Sequence, residues 1–161
     1  MTDATATCTV GLVMERRQGV TAWAGELWRP VAVLPGVPDM AAGTSLGMVD
    51  GGEHVYAGAF DIQLHRSDTA TYRDNLTTLA PLVWVAFRLR DGEMPEIAAI
   101  TVDPAEGEMY SETGSEQLDS VKMPAEIAGV LAEFIAEHHV ERAFVKRKRK
   151  RWADEDAEDM A

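Results

Sequence analysis

Residues 53–65 read EHVYAGAFDIQLH, and their alternation decides the fold class. Tyr56, Gly58, Phe60, Ile62 and Leu64 fall on one side of an extended chain, while Asp61, Gln63 and His65 fall on the other. Side chains two residues apart point the same way in a strand, so one face meets a core and the other meets water.

Working outward, CTVGLVMERR (8–17) repeats the pattern with Cys8, Val10, Leu12 and Met14 on one side. LWRPVAVLP (27–35) is also extended, but Pro30 has no N–H to give to a ladder, which predicts an edge strand or a bulge. The stretch from Pro35 to Gly52 collects glycines, prolines and small residues without apolar periodicity and reads as a long surface loop. Downstream, SDTATYRDNL (67–76) predicts a short helix capped by Ser67 or Asp68, with Tyr72 and Leu76 four apart. PLVWVAFRLR (81–90) and EIAAITV (96–102) predict a hairpin around Asp91-Gly92. Asp103 and Pro104 open a second, acidic helix that stops near Gly114, and QLDSVKM (117–123) is extended again.

PAEIAGVLAEFIAEHH (124–139) changes the period. Ile127, Val130, Leu131, Phe134, Ile135 and His138 form a stripe that only a helix makes contiguous. Burying five such side chains contributes on the order of 1.5–3 kcal/mol each, which docks this helix on the sheet. The order β-β-β-α-β-β-α-β-α with short connections predicts an α+β fold, a mainly antiparallel sheet of about six strands with two or three helices on one face.

The 161 residues fit one domain, predicted over 1–145, followed by a terminal segment over 146–161. Charge is segregated along the chain. Residues 1–145 carry −13, the run Lys146–Arg151 carries +6 and the acidic end carries −5, for a net −12. So acidic a body repels phosphate backbones and anionic lipid over the Debye length of about 8 Å, so a polyanion must be met by the terminal segment. Cys8 is the single cysteine, which excludes an internal disulfide and a Cys-x-x-Cys metal or redox motif. The N-terminus has neither the cationic nor the apolar region of a secretory signal, and Arg16-Arg17 is not followed by one. A soluble, cytoplasmic protein is expected.

Each candidate for chemistry competes with a plainer reading. In EHHVE (137–141), His138 and His139 are adjacent, so on a helix they point about 100° apart instead of converging as an i, i+4 metal pair would. His138 then ends the apolar stripe, and His139 complements the helix C-terminus. His54 and His65 stand at the two ends of one strand. Asp61 and His65 share a face but lie about 13 Å apart, too far to hydrogen-bond. GTSLG (43–47) resembles a nucleophile elbow only loosely, lacking the strand before and the helix after. No glycine pattern accompanied by a lysine marks a nucleotide site, so no catalytic residue, metal or cofactor is implied. Trp23 and Trp28 suit either a core or a partner anchor.

The strongest local signal is Arg142, Phe144, Lys146, Arg147, Lys148, Arg149, Lys150, Arg151 and Trp152, a cationic run between aromatic residues. On a nucleic acid it would release up to about six counterions, a log–log salt slope near −5. On a membrane surface, Trp152 would sit at the interface. No recognition helix or aromatic sheet accompanies it, and an acidic partner protein or the adjoining Asp154–Asp159 segment are the other ways to satisfy it.

VGLVMERRQGVTAW, WRPVAVLPG, FDIQLHRSDTATYRDNL and EFIAEHHVERAFVKRKRKRW together resemble a bacterial family of unknown function whose genes stand beside those for molybdenum-containing formate dehydrogenase and its maturation factors. The resemblance spans residues 8–152, excludes the loop at 36–52 and the end at 153–161, and is most specific in Trp-Arg-Pro-Val-Ala-Val and the closing His-His-Val-Glu block. It implies a formate dehydrogenase context and no mechanism; with the terminal run, the expectation is a non-catalytic accessory or assembly factor whose partner is a formate dehydrogenase subunit or maturation factor. Some members are labelled as molybdopterin-guanine dinucleotide biosynthesis proteins, which implies cofactor biosynthesis or delivery as the alternative. The glycine-rich, basic nucleotide loop of the enzymes with that activity is absent from this N-terminus.

Overall fold

The computed structural model describes residues 4–21 and 25–139. Its strands and helices follow one another as β1 (Ala4–Gln18), β2 (Glu26–Leu34), β3 (Ser45–Val49), β4 (Gly52–His65), α1 (Thr69–Leu76), β5 (Leu82–Arg90), β6 (Glu93–Thr101), α2 (Pro104–Thr113), β7 (Gln117–Lys122) and α3 (Ala125–His138). The α+β class, the antiparallel pairing and the three helices are those the sequence predicts. The seven strands divide between two sheets, ordered β2-β1-β4-β3 and β6-β5-β7.

The core forms where apolar faces of both sheets meet α1 and α3. Val10, Leu12 and Met14 of β1 and Ile62 and Leu64 of β4 pack with Val83, Val85 and Phe87 of β5. Tyr72 of α1 joins them, as do Ile127, Leu131 and Phe134 of α3. The edges of Tyr72 and Phe134 meet with ring centroids 6.1 Å apart, an arrangement favoured by the ring quadrupoles. Val130, predicted in the buried stripe of α3, is instead 42% exposed. It borders the apolar arc of the helix.

The expected cap of α1 is corrected: Asp68 stands at the N-cap position but makes no side-chain cap hydrogen bond, and Ser67 lies in a 3-10 turn before it; around α2 the chemistry follows the residues. Asp103 accepts a hydrogen bond from Ala105 N at 2.9 Å, Pro104 occupies the first turn of α2, and Gly114 ends it in the left-handed region at φ 75°. Residues 91 and 92 close the β5–β6 hairpin, with Arg90 opposite Glu93. Pro30 lies on the edge strand β2 at a bulge, since Val13 pairs with Ala32 and Met14 with Pro30, leaving Val31 over.

Two further expectations are corrected. The stretch 35–52 is not all loop, because Ser45–Val49 pairs with β4, and Asp50 (φ 50°) and Gly51 (φ 85°) make the tight turn between them. Both residues have positive φ, as a two-residue hairpin turn matched to strand twist requires. Second, Tyr56 does not share the core face of Phe60, Ile62 and Leu64. Leu12 pairs with Gly58 and Val13 with Tyr56, so Ala57 is an inserted bulge residue, and the alternation changes sides there. Ala57 enters the main core, while the Tyr56 ring lies over Gly11 beside Leu34 and Pro38. Backbone bonds from Gly43 N to Tyr56 O (2.7 Å) and from Tyr56 N to Thr44 O (2.8 Å) tie the preceding segment down.

Candidate functional site

Arg142, Phe144 and the run from Lys146 to Trp152 lie outside the described residues, as does Trp23. The other candidates are dispersed. Trp28 is half-buried, with the Arg16 guanidinium 5.6 Å from its ring centre. His138 lies against Phe134 with centroids 4.5 Å apart and the rings tilted by 47°, and His139 Nδ1 lies 2.9 Å from Thr69 Oγ1. The backbone N–H of His65 donates to the Tyr72 hydroxyl at 2.8 Å, and Asp61 accepts from Thr9 Oγ1 at 2.6 Å. Burial pushes the Tyr72 hydroxyl up to about 12, so it stays protonated. Burial, and next the Asp61 charge, also raise the Cys8 thiol, consistent with an unreactive side chain. Ser45 sits in β3, followed by a tight turn rather than a helix. Among the described residues no group of three or more His, Cys, Asp or Glu is placed to hold a metal ion.

The structure does assemble one cluster that sequence reasoning missed. Glu15 lies on β1 directly opposite Arg29 of β2 and His54 of β4, so the three form a row across the sheet. Arg17, two residues on, projects on the same side of β1. The Glu15 side chain is 3% exposed. Its Oε1 accepts from Arg29 Nε at 2.9 Å and from Arg17 Nε at 3.0 Å, and its Oε2 lies 3.3 Å from His54 Nε2. A buried carboxylate is costly unless paired, and here three cationic or polar partners surround it. The hydrogen bond from Arg29, opposed by burial and helped by Arg17, holds the carboxyl at about 2. Glu15 is therefore ionised at neutral pH and is not a proton acceptor there.

Beside this cluster opens a cavity of about 340 Å³, lined by Arg17, Arg29, His54, Asp50 and Ser120 among others. The only hint in the sequence is that Glu15 and Arg17 alternate with Met14 and so point away from the core. Their partners depend on the register of β1 with β2 and, through the bulge at Ala57, with β4, which one sequence read alone does not reveal.

A family model described as Protein of unknown function (DUF3305) matches residues 9–150, and the chain belongs to that family. No curated protein matches the chain, and no solved structure does.

Proposed function

We propose that this member of a family of unknown function is a non-catalytic accessory or assembly factor for a molybdenum-dependent formate dehydrogenase. It works by protein–protein contact through residues 142–152. The observation that supports the reading is charge segregation: residues 1–145 carry −13 and Lys146–Arg151 carry +6. Two body cations are already paired with the body's own carboxylates, Arg16 with Glu26 and Glu53 and Arg88 with Glu96 and Glu116. An acidic partner surface is then met by the run at 146–151, a contact that speeds encounter more than it deepens affinity. The formate dehydrogenase setting comes from the family resemblance of the four quoted segments. No helix among the described residues is long and apolar enough to cross a membrane.

The test is retention of purified formate dehydrogenase subunits and maturation factors on the immobilised full chain, at low and physiological salt. The wild type is expected to retain one of them and to release it as salt rises, while a variant with Lys146–Arg151 all changed to glutamine does not retain it. Equal retention by both proteins overturns the proposal, as does retention by neither. Retention on DNA or anionic vesicles alone assigns the run to a polyanion instead. Heat on titration with GTP or the molybdenum cofactor moves the reading to cofactor delivery.

A further inference from the structure

We propose that the cavity beside Glu15 is a binding site for a small oxyanion, a carboxylate or a phosphate group, gripped by Arg17 and Arg29 with His54 alongside. This goes beyond the reading of the terminal run and involves a different part of the chain.

Three observations carry it. First, the cluster holds more positive charge than its own carboxylate needs. One guanidinium satisfies a buried carboxylate, whereas Glu15 holds two and an imidazole. Asp50 also lines the cavity, but among the described residues no ion pair joins it to Arg17, Arg29 or His54. With Asp50 counted, the two arginines balance the two carboxylates at the cavity, so an anion is drawn by the donors left over and not by net charge.

Second, the donors are held so that most of their capacity is left over. Both arginines bond Glu15 through Nε only, and among the described residues no hydrogen bond uses an Nη group of either. Each guanidinium therefore keeps the N–H groups of its outer fork, the arrangement that grips two oxygens of a carboxylate or phosphate side by side. A cationic ligand is repelled there, and a neutral acceptor forgoes the charge-assisted part of the bond.

Third, both guanidiniums are anchored at one nitrogen before any ligand arrives, while their side chains stay 38% and 60% exposed. Glu15 is fixed by its place in the sheet, both Nε atoms converge on the same Oε1, and Arg17 Nη1 lies against the turn at Gly51, 3.3 Å from where a β-carbon would stand. Glu15 acts as a positioning residue, fixing the Nε of each arginine so that part of the ordering cost of binding is met in advance. Ser120 of β7 also lines the cavity. A space of about 340 Å³ takes a small molecule or the acidic end of a larger one.

The experiment titrates the full chain with sodium phosphate, and separately with sodium acetate, at pH 7 and constant ionic strength balanced with chloride. Calorimetry reads affinity, and the His54 imidazole NMR signals read occupancy of this cavity. Saturable binding with a dissociation constant of about 1 mM or tighter is expected for at least one anion, with His54 signals moving in step. Arg29→Gln, at a side chain 60% exposed, should keep the fold by circular dichroism and weaken binding at least tenfold, about 1.4 kcal/mol. Arg88→Gln, and the variant with Lys146–Arg151 changed to glutamine, should bind like wild type. Phosphate alone, acetate alone or both identifies the preferred oxyanion. No saturable binding of either overturns the proposal. So does binding that survives Arg29→Gln or disappears with the terminal run, and neither result bears on partner retention by that run.

Discussion

Glu15 and Gly52 approach so closely that a β-carbon at position 52 would stand 2.6 Å from Glu15 Cδ and 2.7 Å from Oε2. The glycine is needed here for room rather than for backbone conformation. A carboxylate pinned by two arginines cannot swing aside without giving up its bonds. Gly52→Ala should therefore destabilise the protein by roughly 1–3 kcal/mol, the usual cost of overpacking. Urea denaturation checks this, and an unchanged midpoint would mean that Glu15 relocates freely.

The same carboxylate predicts a pH dependence. Its folded value of about 2 lies below the ordinary 4.5, so the unfolded chain takes up the proton more readily. The contribution of Glu15 is complete above about 4.5, declines as pH falls from there toward 2, and is gone below. Denaturation of wild type and Glu15→Gln across that window should show the wild type losing its advantage as the solution is acidified. A constant difference between the two would contradict the assignment.

Asn75 is a second load on the fold. It is 3% exposed, donates from Nδ2 to Leu82 O (2.8 Å) and Val102 O (3.0 Å), and accepts from Leu82 N at 3.1 Å. It thus joins α1 to the start of β5 and the end of β6. Asn75→Ala leaves three backbone groups without that partner and should cost about 3 kcal/mol, measurable by thermal or chemical denaturation. Aspartate, which keeps an acceptor but has no N–H to donate, should not rescue it.

In α3, Leu131 is 1% exposed and its neighbour Val130 is 42% exposed. Leu131→Ala should cost roughly 2–5 kcal/mol, whereas Val130→Ala should fall within about 0.5 kcal/mol of wild type. Equal losses at both positions would mean that the helix is rotated relative to the core.

The regular parts of this architecture were legible because each follows from local chemistry. Period-two runs mark β1 and β4, the Asp103-Pro104 and Gly114 signals bound α2, and Pro30 marks an edge with a bulge. β3 was missed because its five residues are exposed and show no alternation; the Asp50-Gly51 pair was its one cue. The Glu15 cluster was illegible for a different reason. Arg29, Glu15 and His54 are distant in sequence; Arg29 meets Glu15 through the register set from the β1–β2 turn, and His54 meets it only after the inserted residue Ala57 has shifted the β1–β4 pairing. Propensity says where a strand is, but register is a property of the assembled sheet.

The bulge at Ala57 also bears on how the gene can change. Removing that one codon would restore strict two-residue alternation across β4 and swing Tyr56 and every residue before it in the strand to the opposite side. Tyr56 would leave its seat over Gly11, and His54 would leave the carboxylate. Losing several residues from the turn-rich segment near Gly36 disturbs far less, so length variation among relatives should gather there and spare position 57.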